Sequence, residues 1–372
     1  MRKVFNFSSL LISLAMVISA CQPALPKVIE QEVIVTDIIE VEKVTEKTGT
    51  VEIVGEEEFD FEGVLKGKKI AAVLPGPIND AGWNTTAYLA IVHLRDKYGM
   101  EIAYREDTKV EEAEQVIREF AEAGFDIIYA HGFEYADQIQ AVALEYPEKT
   151  FIQTNGNNSA GIPNLYTVGF SAGESGYFMG RTACQVTKTG RIAYIVGTSF
   201  PIIDHNILMT RAACADVGKG DVEVLESYIG SWNDPAKAKE LSKALFEQGV
   251  DVILMIADAG DIGIVEAGKE AEAAGKDIRL ISWVKDKNYM APDLIIGGWE
   301  ERIYAMIDYV VRQIALGTPG GHFALGLHDG VVAINPFYGL VSEEIELDIV
   351  TTLQKYLDDP KSLPTLIVRT DL

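Results

Sequence analysis

From Lys68 onward the chain alternates short apolar runs with longer amphipathic stretches, and this alternation predicts its elements. Ile70 to Leu74 reads as a buried strand, Thr85 to Tyr98 as a helix and Glu101 to Tyr104 as a second strand. The next helix sets Ala113, Val116, Ile117, Phe120 and Ala121 on one face, stops at Gly124 and delivers strand Asp126 to Ala130. Helix Tyr135 to Tyr146 and strands Thr150 to Thr154 and Leu165 to Phe170 follow. Strands alternating with helices predict an α/β fold whose parallel sheet is covered on both faces.

The second half repeats the first. Ile192 to Val196 stands for Ile70 to Leu74, and Gly197 to Pro201 opens a loop like the one at Pro75. The stretch Ala238 to Met255 matches Ala113 to Ala130, with Gly249 on Gly124 and Asp251 on Asp126. Two units recurring in the same order predict two Rossmann-like lobes. Ligands of open α/β sheets sit beyond the carboxyl ends of the strands, so equivalent loops of facing lobes would close on one cleft. Those loops hold His131 to Asp137 in one lobe and Asp258 to Gly263 in the other. After Trp283 the pattern predicts a short strand Leu294 to Ile296, a long helix Glu300 to Leu316, a break at Gly317 to Gly321 and a last strand Val331 to Ile334. The expected division is 67–168 with about 285–317 in lobe 1 and 169–284 with about 318–372 in lobe 2, joined by a hinge.

The amino terminus is patterned differently. Arg2 and Lys3 precede an apolar stretch Leu10 to Ile18 and then Ser19-Ala20-Cys21, the order of a secretory signal over residues 1–20. Ile18-Ser19-Ala20-Cys21 also resembles the bacterial lipobox, in which the cysteine is diacylated after the cut; two acyl chains suffice for a stable membrane anchor. Residues 21–66 mix Val, Ile and Thr with many acids and sustain no helical stripe, which reads as a solvated tether, with an added edge strand as the alternative. The other two cysteines, Cys184 and Cys214, fall in predicted helices and read either as a disulfide or as two separate buried thiols.

Composition narrows the function. With 372 residues, 48% hydrophobic and 24% charged, the chain can build two globular domains. Its formal charge of −24 excludes a nucleic-acid partner bound through its phosphates. No Walker A loop, full GxGxxG, CxxC or His-rich spacing points to a nucleotide cofactor or a metal.

Gly169-Phe170-Ser171-Ala172-Gly173 matches the GxSxG nucleophile elbow, with Asp204 or Asp258 and His322 or His328 as downstream partners. Ser171 to Glu174 is equally a capping box, and no oxyanion-hole loop of the HGGG kind precedes it, so the reading is a helix cap and not an enzyme. Glu300 and Glu301 read as first-turn helix charges. Asp258 follows an apolar strand at the cleft mouth, where a carboxylate suits ligand hydrogen bonds. Aromatics gather at loop ends: Trp83, Phe133, Phe200, Trp232 and Trp283, of which Phe200 reads as core. The others could stack on a flat ring, an interaction worth roughly 1 to 3 kcal/mol per base.

The turn-rich stretch Pro75 to Asn84 carries Asp80-Ala81-Gly82-Trp83-Asn84. Together with Gly132-Phe133 and Asp137, Gly180, Lys188 to Ile192 and Trp232 to Lys237, it resembles the basic membrane lipoproteins. These are the purine nucleoside receptor type of ABC-transporter substrate-binding proteins, and the likeness runs from about Lys68 to Asn335. It implies a type I periplasmic-binding-protein fold holding a purine nucleobase or nucleoside between its lobes. By family position Trp83 stacks on the base, Asp80, Asn84 and Asp137 hydrogen-bond it, and Phe133 and Trp232 complete the walls. Family nucleoside binders also place an aspartate and a lysine on the ribose. Here Val284 and Glu301 hold those places, with Lys285 and Asp286 nearby. The resemblance further implies ABC permease subunits as partners, a monomeric extracytoplasmic receptor anchored through Cys21, and no cofactor. An extracellular sensor of the same fold is the alternative, followed by a hydrolase using Ser171.

Overall fold

The computed structural model describes residues 59–364 apart from 81, 157, 158, 172 and 200. The signal, Cys21, most of the acidic stretch and Phe200 therefore lie outside the described residues. A short helix, α1 (Phe61–Leu65), comes first among the described elements and buries Leu65, so helical structure is present before the expected end of the tether at residue 66.

The first half builds strands β1 (Lys69–Val73), β2 (Glu101–Arg105), β3 (Ile127–His131), β4 (Thr150–Thr154) and β5 (Leu165–Phe170), with helices α2 (Trp83–Tyr98), α3 (Val110–Glu122) and α4 (Ala136–Glu145). The second half builds α5 (Glu174–Val186), β6 (Arg191–Val196), α6 (Pro201–Asp216), β7 (Glu223–Tyr228), α7 (Pro235–Glu247), β8 (Val252–Ile256), α8 (Asp261–Ala273), β9 (Arg279–Ser282) and β10 (Ile295–Glu301). The chain ends with α9 (Ile303–Ala315), β11 (Gly321–Leu325), β12 (Val332–Ile334) and α10 (Glu343–Asp358).

Two sheets result, β2-β1-β3-β4-β5-β11 and β7-β6-β8-β9-β10-β12, and their first five strands run in the same topological order. All pairs are parallel except β10 with β12. Strands covered on both faces need continuous apolar sequence, which is why Ile70 to Leu74 and Val252 to Met255 are buried throughout. The repeated helices end alike, at Gly124 (φ 85°) and Gly249 (φ 89°), where the left-handed turn suits glycine. The repeated aspartates also share a task. Asp126 accepts from the Lys69 N–H at 2.9 Å, and Asp251 from those of Lys188 and Thr189 at 2.6 and 3.0 Å, so each pins the loop that enters the first strand of its sheet.

The chain passes between the sheets three times, and the crossings differ from the expected division. β10 belongs to the second sheet rather than the first, and β11 to the first rather than the second. Between them α9 packs on α2 of the first lobe, where Lys97 meets Asp308 at 3.0 Å. Glu300 and Glu301 consequently end a strand and do not start a helix. In the second lobe α5 and α6 lie close because Gly176 and Gly180 face α6; a Cβ at Gly180 would stand 2.6 Å from the Thr210 Cα. Cys184 and Cys214 join the same two helices as a disulfide, with Cα atoms 5.4 Å apart.

Candidate functional site

A cavity of about 140 Å³ lies between the carboxyl ends of the two sheets. Its geometry begins with the first turn of α2. A helix start leaves backbone N–H groups without intrahelical partners, and here carboxylates take them. Asp80 accepts from the N–H groups of Gly82, Asn84 and Thr85 at 2.9, 2.9 and 3.0 Å, and from the side chains of Asn84 and Thr85 at 2.8 Å each. Burial alone would raise the Asp80 pKa, but these bonds hold it below the usual carboxylate range. Asn84 in turn accepts from the Gly76 N–H at 3.0 Å. Asp80 and Asn84 thus line the cavity while these hydrogen bonds fasten the loop to the helix.

The remaining N–H of that turn is bonded from the opposite lobe. Trp83 N donates to Asp258 Oδ1 at 3.3 Å, and a Cβ at Gly82 would stand 2.4 Å from that oxygen, so glycine is what allows the approach. The indole of Trp83 stacks on His131, ring centroids 3.9 Å apart and planes 25° off parallel. His131 Nε2 donates to the Trp83 carbonyl at 3.0 Å, which leaves Nδ1 to accept from Thr154 Oγ1 at 2.8 Å and from the Tyr129 hydroxyl. Burial pushes this imidazole down to about 3, so it stays neutral at physiological pH and packs as a flat aromatic platform.

All four tryptophans of the chain line this cavity: Trp83 from the first lobe, Trp232, Trp283 and Trp299 from the second. Phe133 adds an exposed ring from the loop after β3. Trp232 packs on Gly197, where a Cβ would stand 2.2 Å from the indole. Trp283 is buried and donates through Nε1 to Glu301 Oε1 at 3.0 Å. Backbone strain collects here as well. Six described non-glycine residues have positive φ, and three of them, Asn155, Asp258 and Val284, line the cavity.

Of the residues expected to bind a ligand, Asp80, Trp83, Asn84, Phe133, Trp232, Asp258 and Trp283 come together on this wall. Asp137 does not; it is exposed in the first turn of α4. Asp286 does not either; it accepts from the Asn288 N–H at 2.9 Å and from the Tyr338 hydroxyl, holding its own loop. Two lining residues carry roles the sequence reading lacked. Glu301 faces the cavity from the end of β10, and burial pushes it up to about 7. Lys287 is almost completely buried and pairs with Asp261 at 2.5 Å. Burial pushes Asp258 up to about 7, with Lys287 opposing the shift and Asp80 and Asp261 adding to it.

Ser171 also lines the cavity, but the expected capping box is absent: α5 is capped by Gly173 without a side-chain bond, and Glu174 instead accepts from the Leu327 N–H at 3.0 Å and the Tyr356 hydroxyl at 2.5 Å. The histidines considered as its partners bond elsewhere, His322 to Thr167 and His328 to the Tyr356 carbonyl. Among the described residues no cluster of His, Cys, Asp and Glu could hold a metal ion, and no helix is long and apolar enough to cross a membrane.

A family model described as ABC transporter substrate-binding protein PnrA-like, Bmp, matches residues 67–362. The transcriptional activator protein Med of Bacillus subtilis is 27% identical over 297 residues, 78% of this chain and 90% of its own length. A purine-binding protein of Brucella abortus is 26% identical over 276 residues, 72% of this chain and 75% of its own. The crystal structure of a solute-binding protein of an ABC transporter system from Aeropyrum pernix matches with a TM-score of 0.66 at 21% identity, over 80% of this chain and 82% of that one. The architecture is therefore the type I periplasmic-binding-protein fold expected from the sequence.

Proposed function

Because the chain belongs to the Bmp family of ABC-transporter substrate-binding proteins, we propose that it holds a purine nucleobase or nucleoside between its two lobes and delivers it to permease subunits. The observation that carries this reading is the convergence of all four tryptophans on one cavity fed by both sheets. Flat rings give a flat ligand stacking area at little cost in side-chain freedom. Buried carboxylates and amides beside them supply the polar contacts that select among flat ligands, since an unmatched polar edge is costly to bury. The name of the Brucella abortus relative, a purine-binding protein, supports a purine.

The receptor acts outside the cytoplasm, tethered through diacylated Cys21, as a monomer without cofactor or catalytic step. Isothermal titration of the ligand-free protein tests the ligand class. Binding of purine bases or nucleosides in preference to glucose and amino acids is expected; tight binding of a sugar or amino acid with no purine response would overturn the assignment. The Bacillus subtilis relative's name, a transcriptional activator, favours one second reading, a ligand sensor that signals to a partner. Ligand-dependent uptake by a reconstituted permease separates the two.

A further inference from the structure

Both lobes furnish the cavity with acidic side chains. From the first come Asp80, already surrounded by five donors, and Glu134, whose carboxyl burial pushes up. From the second come Asp258, Lys287 and Glu301. Lys287 is the one basic residue on the wall among the described residues, and its ammonium is engaged with Asp261 at 2.5 Å. Its charge opposes the upward push on the two carboxylates beside it without overcoming burial. Each of these has one donor from the protein: the Trp83 N–H at 3.3 Å on Asp258 Oδ1, and the Trp283 Nε1–H at 3.0 Å on Glu301 Oε1. Asp258 Oδ2 and Glu301 Oε2 have no hydrogen-bond partner among the described residues. An ionised carboxylate only accepts, and a half-buried one with open lone pairs calls for donors. The shifts agree with this deficit: burial raises both groups, and the Asp258 charge adds to the push on Glu301.

We propose that Asp258 and Glu301 form a carboxylate end of the cavity that, ionised around a bound ligand, accepts from two adjacent hydrogen-bond donors of that ligand, with Glu301 as the specificity-determining residue. The inference rests on the purine reading and deepens it. Two parts of a purine ligand offer that donor pair: the N1–H and 2-amino group of a 2-amino-6-oxopurine, and the vicinal hydroxyls of a ribose. A phosphate or a ligand edge made only of acceptors is repelled there.

Glu301→Gln is a clean probe because its amide oxygen can still accept from Trp283 Nε1, keeping the indole in place, while the second oxygen becomes a donor. Tryptophan fluorescence of the full chain is titrated with guanosine, inosine and 2′-deoxyinosine, and with the free bases guanine and hypoxanthine. If the amino edge meets the carboxylates, guanosine binds at least about tenfold tighter than inosine, and guanine than hypoxanthine. If the ribose meets them, inosine binds at least about tenfold tighter than 2′-deoxyinosine while the amino step changes little. In either case Glu301→Gln is expected to bring the decisive ratio within about threefold. Purines that bind without either preference, or a Glu301→Gln protein that keeps the wild-type ratio, would overturn the inference and leave the purine reading standing. Absence of binding by all five ligands overturns the inference, and the purine reading falls with it only if adenine and adenosine also fail to bind. Should Glu301→Gln fail to fold, Asp258→Asn, which retains an acceptor for the Trp83 N–H, is read by the same ratios.

Discussion

Trp83 owes its position to three separate contacts: its ring lies on His131, its carbonyl takes the His131 Nε2–H, and its own N–H is held by Asp258. A ring fixed in this way loses little freedom when a flat ligand stacks on it, so its contribution to binding is nearly undiluted by ordering cost. Trp83→Ala is expected to weaken ligand binding by about tenfold to a hundredfold, corresponding to roughly 1 to 3 kcal/mol of stacking. The melting temperature should change little, because the indole is only part-buried. Unchanged affinity by titration calorimetry would remove the stacking role.

At the scale of elements, the sequence was most legible where one physical demand governs a whole segment. The apolar stripe of α3 with Gly124 after it, and the same arrangement in α7 with Gly249, announce helix, stop and buried strand. Glu301 escaped because Gly297-Gly298 reads as the end of a strand. Gly298 instead lets β10 pass close to β9, a Cβ there falling 2.1 Å from Ser282 Oγ, and the strand runs on to Glu301. Lys287 left no local trace because its partner Asp261 belongs to a different element and only folding brings the two together. Asp137 was placed by motif position, and motif position does not fix how a first-turn side chain points. The close α5–α6 contact supplies a further prediction. Gly180→Val puts a branched side chain against Thr210, overpacking that costs roughly 1 to 3 kcal/mol and should lower the urea midpoint. A midpoint equal to that of the wild type would mean that α6 can shift, even though the disulfide joins it to α5.

For the whole molecule, the buried acids set how stability responds to pH. Burial pushes Asp258, Glu301 and Glu174 each up to about 7. Their unfolded values are near 4, so folding takes up protons between about pH 4 and 7. The stabilising contribution of each is full below its unfolded pKa and is lost as pH rises through about 7. Asp258→Asn removes one such group. In ligand-free protein its melting temperature should gain on the wild type as pH rises from about 5 to about 8. A difference that stays constant across that range would show that Asp258 does not titrate there.

The interleaving of the two sheets also dictates an order of assembly. During synthesis β5 emerges early, yet its outer neighbour β11, in which Gly321 pairs Tyr166, follows only after the body of the second lobe has been made. Until then one edge of the first sheet has open N–H and C=O groups, and α2 lacks the cover of α9. The first lobe is therefore the earlier to begin but cannot close until the body of the second has been made, and the nascent chain needs the second lobe to fold promptly so that β11 can return.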